Sequence, residues 1–187
     1  MTTVNKILSI FCLLMLLGCN NQINKKESTT IAAPNEVVCN PYFQFDKIDH
    51  YFLNIEEEKL WNIEQKKKKT ANEKKQLELL IKYTPDKLSD TAVLDNIDKL
   101  DFIRKEISAD KFNQINEIFC QRKHKEVTAS ACIAIYRDIL VFKKENKIIG
   151  TAKLCFSCDQ CVITGTRLNT EEFGQSGDYG KLYKLLH

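Results

Sequence analysis

The feature that most limits the fold is an apolar run from Ile7 to Leu17, interrupted only by Ser9 and preceded by one basic residue, Lys6. A helix of this length would measure about 17 Å, whereas the hydrocarbon layer of a bilayer is about 30 Å thick. The run is therefore too short to span a membrane, and its flanks are typical of a secretory signal peptide. We expect residues 1–18 to be cleaved and to take no part in the folded domain.

The run ends in Leu16-Leu17-Gly18-Cys19, which resembles the lipobox of bacterial lipoproteins. In that family the Cys thiol receives a diacylglycerol, the signal peptide is cut before the Cys, and the new amine gains a further acyl chain such as palmitate. The resemblance implies that Cys19 is the lipidated first residue and that the membrane is reached through the lipid. Asn20, where an Asp would favour inner-membrane retention, favours the outer membrane. An ordinary secretory signal with an incidental Cys is the alternative.

Charge and motifs exclude several classes of function. The chain has 28 basic and 25 acidic side chains, which leaves no large excess to hold a phosphate backbone, so no nucleic-acid partner is expected. No phosphate-binding loop, dinucleotide-binding glycine pattern, zinc-protease motif or nucleophile elbow occurs. Asp95, Asp98 and Asp101 recur every three residues but lack the pattern of a calcium loop. We therefore assign no catalytic residue.

The remaining chain divides into a lipidated flexible tether, residues 19–38, and a single domain, residues 39–187. The tether is polar and poor in aromatic residues, so it cannot bury enough apolar surface to offset the cost of ordering it. Thr70 and Glu73 predict the capping box that begins a helix. The order of elements predicts a small α+β domain with N-terminal helices and a C-terminal antiparallel β-hairpin, stabilised by disulfides.

The hairpin is predicted from two β-rich segments, residues 132–142 and 148–156. If the turn is Glu145-Asn146, Asp138 faces Lys153 and forms a cross-strand ion pair. In this register one side of the hairpin is mainly apolar and the other carries the ion pair, as a half-buried sheet requires. A shift of one residue would remove that separation.

Cysteine is the residue type that carries the most chemical information. Cys12 lies in the signal peptide and Cys19 in the lipobox, and the others are disulfide candidates: Cys39, Cys120, Cys132, Cys155, Cys158 and Cys161. Their even number suits the oxidising environment in which exported proteins form disulfides. Sequence alone cannot choose among the possible pairings, although the predicted hairpin brings Cys132 near the cluster of residues 155–161.

The same cluster supports an alternative. Thiolates of Cys155, Cys158 and Cys161 have a spacing that could bind zinc, with Cys132 or His124 as fourth ligand. A thiol-redox centre would need a CxxC motif at the start of a helix, and this motif follows a strand. We favour structural disulfides, with no cofactor besides the lipid. The three histidines are isolated in sequence and are expected to be packing or surface residues: His50, His124 and His187.

The sequence thus predicts a lipid-anchored cell-envelope protein with a non-catalytic domain that binds a protein partner or has a protective or inhibitory role. The alternative is a metal-binding or thiol-redox envelope protein that uses the cluster at Cys155, Cys158 and Cys161.

Overall fold

A computed structural model of the chain describes residues 39–124, 126–128 and 131–187. The predicted signal peptide, Cys19 and the tether lie outside the described residues, so these assignments stay predictions. The structure described below begins at Cys39, which is the first of the disulfide candidates.

The strands are β1 (Asn40–Pro41), β2 (Lys47–Phe52), β3 (Ile103–Glu106), β4 (Cys120–Gln121), β5 (Asp138–Lys144), β6 (Lys147–Cys155) and β7 (Gln160–Thr164). The centre of the fold is a five-stranded antiparallel sheet with the order β3-β2-β5-β6-β7. The two short strands β1 and β4 pair with each other. Strand β5 therefore lies in the middle of the sheet, where both of its edges are hydrogen-bonded.

Helices cover both faces of this sheet. The α-helices are α1 (Glu57–Gln65), α2 (Ala71–Ile81), α3 (Phe112–Ile118) and α4 (Asp178–Leu186), and three 3-10 segments lie at Leu88–Leu94, Ile97–Leu100 and Ala109–Lys111. Ile139 and Val141 of β5 pack with the buried residues of α1 and α2. Leu140 and Phe142 pack with α3 and α4 on the other face. The predicted combination of helices with an antiparallel sheet is confirmed at this level.

The predicted capping box at the start of α2 is confirmed. The Thr70 hydroxyl oxygen accepts from the Glu73 amide at 3.1 Å, and the Glu73 carboxylate accepts from the Thr70 amide at 2.9 Å. Two backbone donors that a helix start leaves unpaired are thereby satisfied.

The predicted ion pair between Asp138 and Lys153 is wrong. Lys144 pairs with Lys147 across the Glu145–Asn146 turn, but the register then shifts between Phe142 and Lys143, so Asp138 lies opposite Leu154 and Lys153 opposite Ile139. Asp138 and Lys153 therefore point to opposite faces of the sheet. The prediction assumed one solvated face, whereas helices cover both faces and the polar and apolar residues need not alternate.

Candidate functional site

The structure brings together three polar side chains that are far apart in the sequence. His50 lies in β2, Asp138 is the first residue of β5, and His187 follows the last turn of α4. His50 pairs with Leu140, two residues from Asp138, so both side chains lie on the sheet face that packs against α4. The C-terminal end of α4 then places His187 beside them.

Asp138 is the centre of this cluster. Its Oδ1 atom lies 2.7 Å from His50 Nε2 and 3.0 Å from His187 Nε2. The side chains of His50 and Asp138 are only 4% and 5% exposed, while that of His187 is 24% exposed. Two imidazoles thus share one carboxylate oxygen at the boundary between the core and the surface.

Aromatic rings surround the outer histidine. The His187 ring stacks on Tyr183 with centroids 4.6 Å apart, and it meets the Phe52 ring edge-on at 5.0 Å and the Phe156 ring at 6.1 Å. These contacts fix the orientation of the imidazole, although its residue lies beyond the end of a helix.

A cavity of about 160 Å³ opens directly beside the cluster. Asp138 and His187 form part of its wall, and the aromatic residues Phe52, Phe156 and Tyr183 form much of the rest. Arg137 also lines it, but its Nε donates to the Ile55 carbonyl at 3.0 Å and not to Asp138. The cavity could admit a small ligand to the carboxylate and to the outer imidazole.

His50 and His187, which are isolated in the sequence, lie together at Asp138 in the structure. Asp138 is separated from them by 88 and 49 residues, so no local spacing in the sequence could have revealed the cluster. His124 lies elsewhere: its ring contacts Glu172 at 3.2 Å and Ser176 at 2.8 Å. The one signal available was an Asp at the start of a strand whose next four residues are apolar.

Four of the six disulfide candidates are paired. Cys39 bonds to Cys120 across the β1–β4 pair, and Cys132 bonds to Cys158. The second bond joins Cys132 to the 155–161 segment, as the sequence suggested. Both bonds link segments that are distant in the sequence, with separations of 81 and 26 residues.

Cys155 and Cys161 are free thiols and lie on opposite faces of the sheet. Cys155 packs beside Tyr136 and Cys158, whereas Cys161 packs against the core that faces α4. Burial raises the pKa of the Cys161 thiol to about 11, and a hydrogen bond with Tyr179 opposes that rise. A thiol held in its neutral form is a poor nucleophile and a poor metal ligand. Because Cys155 and Cys161 lie on opposite faces and Cys158 is bonded to Cys132, the cysteines that the sequence suggested as zinc ligands do not converge on one point.

Among the residues described, no helix combines the length and the apolar composition that crossing a membrane requires. Within the same residues, the one cluster with metal-ligand geometry is the group His50, Asp138 and His187. No protein-family model, curated protein or solved structure matches this chain.

Proposed function

We propose that this is a lipid-anchored cell-envelope protein whose domain binds a protein partner. The observation that carries the proposal is Leu16-Leu17-Gly18-Cys19 at the end of a short apolar run. Acylation of Cys19 would attach several hydrocarbon chains to one residue. Each buried methylene contributes about 0.8 kcal/mol, and two or more chains anchor a protein stably. The domain then needs no membrane-binding surface of its own.

The two disulfides support export. Such bonds persist in the oxidising environment of the cell envelope and are rare in the cytosol of most organisms. The first bond begins at Cys39, which directly follows the predicted tether. A disulfide at the first residue of the domain suits attachment through a flexible tether, because the bond keeps motion of the tether from unfolding the domain.

A groove between α3 and α4 is the surface that we propose for the partner. Its volume is about 330 Å³, and its residues are Gln114, Glu117, Ile118, Arg122, Lys181, Lys184 and Leu185. The partly exposed side chain of Leu185 offers a contact for an apolar residue beside Ile118, which is largely buried. The three basic side chains outnumber Glu117 and the neighbouring Asp178, which pairs with Arg122 at 3.1 Å and lies 3.9 Å from Lys181. A protein segment that combines acidic and apolar residues is the complementary partner.

Anchoring is tested by fractionation of cells that produce the full chain. Cys19→Ala should move the protein from the membrane to the supernatant, because the acylated thiol is lost. Cys12→Ala is the matched control, since it removes a cysteine of the same apolar run that lies outside the lipobox. Membrane association of Cys19→Ala equal to that of the parent would refute the anchor.

Partner binding is tested by a photoreactive amino acid placed at Gln114 in the groove or at Glu64 on α1. We expect a crosslinked partner from Gln114 only, and we expect Lys181→Glu with Lys184→Glu to remove it. The control, Lys67→Glu with Lys68→Glu, makes the same charge change in the exposed segment that follows α1 and should leave the adduct intact. An adduct from both positions, or one insensitive to the groove variant, contradicts the assignment.

A further inference from the structure

We propose that His50, Asp138 and His187 bind a divalent transition-metal ion of the Zn²⁺ class. The three ligand atoms lie within 4.8 Å of one another. Imidazole nitrogen and carboxylate oxygen are both common zinc ligands, with metal–ligand distances of about 2.0–2.2 Å. This inference goes beyond partner binding and does not depend on whether Cys19 is acylated.

The charge of Asp138 is the first argument. Its carboxylate is buried, and a buried negative charge is costly unless a positive group compensates it. Within the part of the chain that the structure describes, its ion-pair partners are the two histidines, and no Lys or Arg pairs with it. Compensation must therefore come from a proton on an imidazole or from a bound cation. A divalent ion satisfies the carboxylate and both imidazoles together.

The distances around Asp138 are compatible with exchange of protons for a metal. Each Nε2 now lies at hydrogen-bonding distance from Oδ1, at 2.7 and 3.0 Å. Ligand atoms of a tetrahedral zinc site lie about 3.3 Å apart, so each Nε2–Oδ1 separation needs to lengthen by only a few tenths of an ångström. Coordination uses the lone pair of each Nε2, so both imidazoles bind the metal in the neutral form with the ring proton on Nδ1.

The cavity beside the cluster supplies the open coordination position. Asp138 and His187 line this space of about 160 Å³, whereas His50 lies behind them in the sheet. Three protein ligands with one position open to a cavity are the arrangement found in zinc sites that bind a water molecule or a small ligand. A purely structural site would have four protein ligands. The site proposed here is therefore accessible and exchangeable.

The test uses the full chain, purified in detergent and stripped of metal with a chelator. A calorimetric titration with Zn²⁺ should give a stoichiometry of one ion per chain. Binding of Co²⁺ should give visible absorption bands without the intense near-ultraviolet band of a thiolate ligand. Loss of a supporting residue around a metal site already costs about 10–100-fold in affinity, so loss of a ligand in His187→Ala should cost roughly 100-fold or more.

Two further variants make the result specific. Asp138→Asn should lose affinity for Zn²⁺ as His187→Ala does. Because His187 is partly exposed at the end of α4, the His187→Ala variant tests the site without disturbing the core. His124→Gln is the control and should bind Zn²⁺ as the parent does. The proposal is overturned if the parent binds no Zn²⁺, if His187→Ala binds it unchanged, or if binding instead requires Cys155 or Cys161 and shows a thiolate band.

Discussion

Lys153 Nζ donates a hydrogen bond to the carbonyl oxygen of Lys82 at 2.6 Å, immediately beyond the last residue of α2. The same ammonium lies 2.9 Å from the Thr84 carbonyl oxygen and 4.9 Å from the centre of the Tyr136 ring. A lysine on β6 thus satisfies the Lys82 carbonyl at the end of α2 and the Thr84 carbonyl in the segment that follows. This contact joins the sheet to the helical layer formed by α1 and α2.

The first prediction concerns the pH dependence of this contact. Burial lowers the pKa of Lys153 to about 7, whereas the unfolded chain retains the ordinary value of 10.5. Between these two values the unfolded state binds more protons than the folded state, so the contribution of Lys153 to stability rises with pH. Below about pH 7 both states are protonated, and the contribution no longer changes.

Unfolding by urea, measured from pH 6 to pH 10 for the parent and for Lys153→Met, isolates this effect. We expect the free energy of unfolding of the parent to increase relative to that of the variant, by up to about 1.4 kcal/mol per pH unit above pH 7. A difference in the free energy of unfolding that stays constant from pH 6 to pH 10 would show that burial does not lower the pKa of Lys153.

The second prediction concerns Asp49, which is fully buried and contacts Lys143 at 2.6 Å and Arg104 at 2.8 Å. Burial alone would raise the pKa of Asp49, but the hydrogen bonds from Lys143 and Arg104 dominate and lower it below 3.8. A lowered pKa contributes stability above the unfolded value and loses it as the pH falls through the folded value.

Asp49→Asn should therefore lower the free energy of unfolding by about 1–3 kcal/mol at pH 7, because hydrogen bonds to charged groups are lost. Below about pH 4 the difference in the free energy of unfolding between the parent and Asp49→Asn should narrow, because the carboxylate of the parent becomes protonated. Asp98→Asn is the control, since Asp98 is exposed and should change stability by less than about 0.5 kcal/mol. A destabilisation that is equal at pH 3 and pH 7 would exclude a charge effect.

The third prediction concerns Gly150, which lies opposite Phe142 just before the register shift. A Cβ atom at this position would overlap the ring of Phe43, which stacks on Phe142 with centroids 4.5 Å apart. Gly150→Ala should cost about 1–3 kcal/mol of stability through overpacking. Thermal unfolding of Gly150→Ala in the parent and in a Phe43→Leu background checks the cause, because the smaller side chain should reduce the cost. An identical cost in both backgrounds would contradict it.

The sequence was most informative where a local signal determines the structure. The Thr70–Glu73 capping box depends on two residues three positions apart, and it begins α2 as predicted. The register of β5 and β6 depends instead on contacts from outside the hairpin. Phe43, more than a hundred residues earlier, packs where Gly150 has no side chain, and helices cover both faces of the sheet. Neither feature can be read from the two strand segments alone.

The candidate site was missed for the same physical reason. His50 and Asp138 are neighbours because β2 pairs with β5, and His187 joins them because α4 packs on that face. Each of these relationships is set by tertiary packing and not by spacing along the chain. Four of the six predicted disulfide cysteines are paired, whereas Cys155 and Cys161 are free thiols, and the choice of pairs depended on which segments lie side by side.

The fourth prediction concerns the disulfides. Peptide mapping without reduction should find Cys39 joined to Cys120 and Cys132 joined to Cys158. The buried Cys155 should react with an alkylating reagent only after unfolding, and the partly exposed Cys161 should react slowly at neutral pH because burial raises its pKa. Replacing either bonded pair by serine should cost about 2–4 kcal/mol, with the larger loss for Cys39–Cys120 because it closes the longer loop. A bond between Cys155 and Cys158 would contradict the arrangement.

Mass spectrometry of the N-terminal peptide from the membrane fraction tests the central claim most directly. We expect a chain that begins at Cys19 and carries a diacylglyceryl group on its thiol together with an acyl chain on its amine. A chain that still begins at Met1, or one that begins at an unmodified Cys19, would contradict it.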